Sequence, residues 1–329
     1  MLTLTTVSHY PKIGDSPEEQ ALRRALARYD RKEIDEAELE RVKDEVTRAV
    51  LEEQIEAGVE IVTDGEIRWD DAVTYLAGKI QGFALTGLLR YFDTNTFYRQ
   101  PVCREKLVAP DSLVLRDFQF ANAISSVPVK AVLTGPFTLA KLSKDEHYED
   151  LEAFASALAG ILGEEARRLA EAGASVIQFE EPALLRFKGE FPLFKRIWTK
   201  LVDPIPENVE TILFLNFGDL EGIYPDGLDL GVTTLGLDFS KESRNWKILR
   251  GANFTKKLLA GIVDARNTKM ETEEEVRESL EKLLQIVSAE DLTVSPNYGL
   301  EFLPRAVARK KLENLSKGVR EFRSQQVKV

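Results

Sequence analysis

Two hydrophobic rhythms take turns along the chain. Short apolar runs, too brief for helices, recur at Leu2 to Val7, Val59 to Thr63, Pro128 to Leu133, Ala174 to Phe179, Thr211 to Leu215, Thr233 to Leu237, Leu258 to Val263 and Leu292 to Ser295. They read as strands buried on both faces. Between most of them lie amphipathic stretches with helix signals. Pro17 opens one through Tyr29, Gly58 closes the charged stretch Asp35 to Ala57, and Leu151 to Ala172 and Phe191 to Leu201 follow. Thr272 ahead of Glu275 forms a capping box, and a basic helix runs from Pro304. Eight strands, most followed by a helix, predict an α/β fold of the (β/α)8 TIM-barrel class. A doubly wound sheet is the runner-up, but the Gly-rich phosphate turn it would carry after the first strand is missing.

The rhythm breaks from Ile67 to Val127. That stretch holds one helix signal, Asp70 to Gly78, and then strand-like pieces rich in Phe, Tyr and Thr. It is too long for an ordinary strand-to-helix connection and reads as an insertion after the second strand that covers the barrel mouth. There is no internal repeat, low-complexity tract or linker, so residues 1–329 read as a single domain.

Composition narrows the function. A net charge of -11 argues against nucleic-acid or anionic-membrane partners, and 43% hydrophobic residues suffice for a full core. No apolar stretch approaches the length of a membrane span, and the first residues lack a signal peptide's basic start, so a cytoplasmic location is expected. Cys103 is the single cysteine, which excludes an internal disulfide and a cysteine-built metal cage. Charged residues make up 30% of the chain while Cys, Met and His are scarce, a composition that leans towards a thermophile.

Polar residues cluster where the strands end. Ser8 and His9 follow the first run, Asp64 and Glu66 the second, Glu180 and Glu181 the fourth, Asn216 and Asp219 the fifth, Asp238 the sixth, and Asp264 and Arg266 the seventh. In a barrel these ends share one mouth, and so many acids suit an ammonium group, a cationic substrate or a divalent metal. Each residue also has a plainer reading. His9 can be a hydrogen-bonded structural histidine, Asp64 and Glu66 turn-capping groups, Asp264 and Arg266 a rim ion pair, and Asn216 and Asp219 turn residues. Glu180 and Glu181 are adjacent on a strand end, so their side chains point to opposite sides.

The segments TTVSHYPKIG, VTDGEIRWDD, YFDTNTFY, VKAVLTGPFTL, VIQFEEPAL, GIVDARN and SPNYGLEFLPRAVARKKLENL, in that order, resemble the cobalamin-independent methionine synthase family. YFDTNTFY and GIVDARN are most similar to that family's amino-terminal barrel. The resemblance implies a (β/α)8 fold and methyl transfer from a methyl-folate to homocysteine in methionine biosynthesis. It also implies an amino-acid site: Val7 to His9, Glu66 and Glu180 match the groups that hold homocysteine or methionine. Arg23 and Arg90 match basic residues that hold the folate's polyglutamate tail, although either can equally be a solvated or loop-paired arginine.

The family's zinc barrel carries a His-x-Cys after its fifth strand, a Glu after the sixth and a Cys after the eighth. Those places fall here at Phe214, Asn216, Asp238 and Tyr298. Activating a thiol on zinc calls for thiolate and imidazole ligands with one exchangeable position, and none of the four supplies one. The expectation is therefore no zinc in this chain, and a zinc-bearing homologous barrel as its partner in a split enzyme. The alternatives are a non-catalytic ligand-binding or scaffold subunit and, more weakly, a decarboxylase of the uroporphyrinogen type, against which the acid-rich mouth argues.

Overall fold

The computed structural model describes residues 2–326. In chain order its first elements are β1 (Thr3–Leu4), α1 (Ala21–Asp30), α2 (Glu36–Glu56), α3 (Thr74–Lys79), β2 (Gln81–Arg90), β3 (Phe97–Val108) and α4 (Leu115–Ile124). There follow β4 (Ala131–Thr134), α5 (Pro136–Leu142), β5 (Lys144–Asp145), α6 (Leu151–Glu171), β6 (Val176–Glu180), α7 (Pro182–Arg186), α8 (Phe191–Val202) and β7 (Glu210–Leu215). The last are β8 (Thr234–Asp238), α9 (Asn245–Ile248), β9 (Lys257–Val263), α10 (Glu273–Leu283), β10 (Leu292–Pro296) and α11 (Arg305–Gln326). The chain forms two compact units. Unit 1 is the chain up to Arg68, Gln119–Lys130 and the chain from Gly236; unit 2 is Trp69–Phe118 and Ala131–Leu235. The sequence pattern reads as one domain, whereas the chain crosses between these two units several times.

In unit 1, β1 pairs parallel with β10, and β10 with β9. The predicted second strand, Val59 to Thr63, is reduced to isolated parallel bridges, Thr5 with Ile61 and Val62 with Val129. What holds this segment instead is Gln54, fully buried on α2. Its Nε2 donates to the Thr63 carbonyl and its Oε1 accepts from Thr63 N and Thr6 Oγ1. Local signals set the helices. Asp35 caps α2 by accepting from Glu38 N, Gly58 ends it at φ +90, and the capping box of Thr272 and Glu275 starts α10.

In unit 2, β4, β6 and β7 run parallel. One face of β6 packs on α8, where Phe179 meets Trp198 edge-on at 5.7 Å and Phe194 stacks on Trp198 at 5.9 Å. Side chains alternate along a strand, so Gln178 and Glu180 lie on the opposite face. Glu180 is in register with Phe214, which places Asn216 on that same face one pleat further on. Between residues 67 and 127 lie α3, an antiparallel hairpin of β2 and β3, and α4. The sequence pattern misses α4 because its start is held from a distance: the buried Glu165 carboxylate on α6 accepts from Leu113, Val114 and Leu115 N at 2.7–3.0 Å.

Candidate functional site

The end of the first strand segment and the turn after the second are tied together in unit 1. Thr63 Oγ1 donates to the Ser8 carbonyl at 2.8 Å, and Tyr10 N donates to the Gly65 carbonyl at 3.0 Å. The turn itself is tight. Gly65 and Glu66 both have left-handed backbones, φ +69 and φ +51, and Asp64 Oδ1 accepts from Glu66 N at 3.0 Å. Gly65 is required there twice over, since a Cβ would also sit 2.7 Å from Val50 and 3.0 Å from Tyr10. A glutamate in the left-handed region is uncommon and strained, and such strain gathers at functional sites.

The turn aims Glu66 inward, where it is 1% exposed. His9 Nδ1 lies in ion-pair contact with Glu66 Oε2, whereas Oε1 and the hydroxyl of the buried Ser8 have no hydrogen-bond partner among the described residues. Burial, and then the charge of Asp64, push the Glu66 carboxyl well above its ordinary range; Lys12 and Lys130 act in the opposite sense. Asp64 therefore has the turn-capping bond of its plainer reading and also acts on Glu66. An acid held dry beside a histidine, with one oxygen uncommitted, is equipped to receive a cationic donor such as an ammonium group.

A second polar cluster in unit 1 joins Asp238 and Asp264. Asn297, which the candidate list from sequence omits, donates through Nδ2 to Asp238 Oδ1 at 3.3 Å and to Asp264 Oδ1 at 3.4 Å. Its Oδ1 accepts from Ala265 N at 2.9 Å. Gly261 gives it room, since a Cβ there would lie 2.4 Å from the Asn297 Cα. The signal available in sequence was its place two residues after the eighth apolar run. Burial raises the Asp238 carboxyl against the lowering effect of hydrogen bonds from Ser240 and Asn297. Asp264 pairs with Arg266 at 3.5 Å, the rim ion pair of its plainer reading.

In unit 2, Glu180 is buried and its Oε1 accepts from Gln178 Nε2 at 3.2 Å. Asn216 is 1% exposed, and neither atom of its carboxamide has a hydrogen-bond partner among the described residues. Buried amides are rarely left so. Glu181 has a different duty. Its oxygens accept from Phe137 N at 3.0 Å, Thr138 N at 2.7 Å and Thr138 Oγ1 at 2.6 Å, closing the first turn of α5. Asp219 pairs with Lys188 at 2.8 Å. Arg90 donates to the Thr94 carbonyl and at 3.4 Å to Asn95, holding its own loop, while Arg23 is exposed on α1.

The places of the family's zinc ligands do not fit zinc. Phe214 is a fully buried hydrocarbon ring, Asn216 a neutral amide, Asp238 is engaged with Ser240 and Asn297, and the Tyr298 ring stacks on Phe302 at 5.1 Å. Cys103 is buried in the hairpin, its thiol bonded to the Glu105 carbonyl and pushed up by burial to about 11. Among the described residues no three His, Cys, Asp or Glu side chains group as a metal site, and no helix is long and apolar enough to cross a membrane.

Residues 10–320 match the family model described as the cobalamin-independent synthase catalytic domain. A methionine synthase of Saccharolobus solfataricus is 30% identical over 317 residues, 95% of this chain and 94% of that protein. One from Sulfurisphaera tokodaii is 30% identical over 321 residues, 95% and 92% of the two chains. Among solved structures, a B12-independent methionine synthase from a Shewanella species, in complex with selenomethionine, superposes with a TM-score of 0.87 at 24% identity over the whole of both chains. A putative B12-independent methionine synthase from Listeria monocytogenes gives 0.76 at 16% identity over 98% of each. These two carry the likeness of fold.

Proposed function

The chain belongs to the cobalamin-independent synthase catalytic-domain family, and from that premise we propose that it is a methionine-synthase-type methyltransferase working as the zinc-less half of a two-chain enzyme. In this reading a methyl-folate-like donor and homocysteine are its substrates, and a zinc-bearing homologous barrel is its partner. The proposal includes closure of the parallel strands into the eight-stranded barrel, supported by the strand count in sequence and by the TM-score of 0.87. Likeness to the family's amino-terminal barrel rests on YFDTNTFY and GIVDARN alone. A cytoplasmic location goes with the assignment.

The observation that carries the reading is the buried carboxylate of Glu66, with Oε1 uncommitted and the Ser8 hydroxyl likewise unpartnered. The ammonium of homocysteine or methionine supplies donors for Oε1, and His9 holds the other oxygen and so fixes the plane of the carboxylate. A charge-assisted bond in a site without competing water is worth about 1.5–3 kcal/mol. Glu180, Asn216, Asp238 and Asp264 are further substrate-binding groups in the proposal, whereas Glu181 leaves that set because α5 occupies both its oxygens. Arg23 and Arg90 are assigned to the acidic tail of the donor.

Zinc in such an enzyme would supply thiol activation. The donors at Phe214, Asn216, Asp238 and Tyr298 lack the thiolate and imidazole this needs, so the proposal assigns that chemistry to the partner chain. The same donor set equally suits a subunit that binds ligand without turning it over. Calorimetry of methionine and homocysteine against the chain tests the shared premise: saturable binding that Glu66→Gln abolishes is expected, and binding unchanged by that substitution would refute the assignment of the site.

A further inference from the structure

Unit 1 contains a cavity of about 1130 Å³ between the segment after β8, the end of β9 and the outer side of α10. Its apolar surface comes from Ile262, Val276, Ile286 and the half-buried indole of Trp246. That indole is held in one orientation. Nε1 donates to the Ser240 carbonyl at 3.1 Å, and the ring meets Phe239 edge-to-face at 4.8 Å. Lys282 Nζ lies 6.0 Å from the ring centroid, on a wall of the same cavity.

The charges around the cavity are unequally committed. Asp264 is bonded to Arg266 and Asn267, Glu271 to Lys311 and the Asp264 amide, and Glu275 to Thr272 and Lys269. Glu278 stands 3.9 Å from Lys282. Lys241 and Glu242 also line the cavity, and Arg250, exposed at its edge, is in no ion pair among the described residues. The acids are thus largely spent on local partners, while a guanidinium and a lysine remain available in the same cavity as a fixed aromatic ring. Ligand sites commonly pair an apolar wall with a few polar groups, and a ring on an indole with its anionic group on a guanidinium satisfies both parts of this wall.

We propose that this cavity binds an anion carrying a planar ring, with the ring against Trp246 and its phosphate or carboxylate on Arg250 and Lys241. Asp264 lines this cavity as well as belonging to the amino-acid reading, but the ring and the anionic group are assigned to Trp246, Arg250 and Lys241 and the substrate ammonium to Glu66, so the two proposals are tested by different substitutions. Whether the anionic group is phosphate or carboxylate is separated by the choice of probe.

The test is calorimetry of the full chain with adenosine 5′-monophosphate and with 2-naphthoate, alongside inorganic phosphate as a ring-free anion. Saturable binding of one ring-bearing probe, stronger than that of phosphate, is expected. Arg250→Glu should weaken it by about tenfold or more, and Trp246→Ala should weaken it towards the level of phosphate. Arg250 is exposed, so Arg250→Glu folds as the parent does, which a thermal melt checks. No binding of either ring-bearing probe at millimolar concentration, or binding that Arg250→Glu leaves unchanged, would overturn the proposal.

Discussion

Glu181 and Gly135 form a coupled pair whose strength can be worked out from the geometry. Gly135 caps α5, and a Cβ on it would lie 2.2 Å from the Glu181 Cδ and Oε1. The carboxylate therefore occupies the space a side chain at 135 would need, and in return binds two backbone amides and a hydroxyl of α5. Glu181→Ala leaves these three donors buried without acceptors. At about 1–3 kcal/mol each, softened by relaxation and entering water, a loss of about 3–5 kcal/mol is expected. Gly135→Ala alone should also destabilise, by about 1–3 kcal/mol, because it displaces the carboxylate from its donors. In the double variant the alanine at 135 meets no carboxylate, so its separate cost should largely vanish. The two changes are then strongly non-additive. Urea denaturation of the four proteins measures the coupling, and additive losses would refute this account of Glu181.

The same carboxyl gives a pH signature. Burial is the leading cause that raises it from 4.5 to about 7, against hydrogen bonds from Thr138 and Phe137 that lower it. The folded state therefore holds the proton longer than the unfolded state. Its contribution is complete below about pH 4.5 and is lost as pH rises through about 7, by about 3 kcal/mol. Relative to the parent, Glu181→Gln should remove that decline between pH 4.5 and 7.5; parallel stability curves for the two proteins would contradict it.

Four further outcomes follow from the other sites. Glu66 is also raised by burial, so Glu66→Gln should gain stability relative to the parent as pH rises above the ordinary carboxylate range, seen in melts across pH. An ammonium ligand favours the charged carboxylate, so methionine binding to the parent should release protons, read as a buffer-dependent calorimetric enthalpy that Glu66→Gln abolishes. Arg23→Glu and Arg90→Glu should each weaken binding of a polyglutamylated folate by about 1–2 kcal/mol in a salt-dependent way, by titration at two ionic strengths. Dialysed chain should hold far less than one zinc per molecule by elemental analysis; tight stoichiometric zinc would overturn the argument from its donor set.

The strands and main helices were legible because their signals are local. β6, β7, β9 and β10 fall within the apolar runs to a residue or two, and the ends of α2, α6 and α10 follow caps written in the sequence. The second strand was less legible, since Gln54 on α2 satisfies Thr63 in place of a continuous ladder. Nor does a local pattern reveal α4, whose first amides are bound by Glu165. The candidate residues were legible as a set of polar strand ends. Which partner each residue takes was not: nothing in the adjacency of Glu180 and Glu181 shows that the second is consumed by α5. Asn297 was missed because an asparagine after a strand resembles any turn residue until the two aspartates beside it are known.

The central claim is that this chain supplies substrate-binding equipment to a methyl transfer whose zinc resides on another chain. The most direct measurement is the rate of homocysteine methylation from a methyl-folate with this chain, a zinc-bearing homologue, and the two mixed, with size-exclusion chromatography of the same mixture. A complex whose rate far exceeds that of either chain, and which Glu66→Gln in this chain abolishes, is the predicted result. No complex and no gain in rate would contradict the claim, as would full activity from this chain alone.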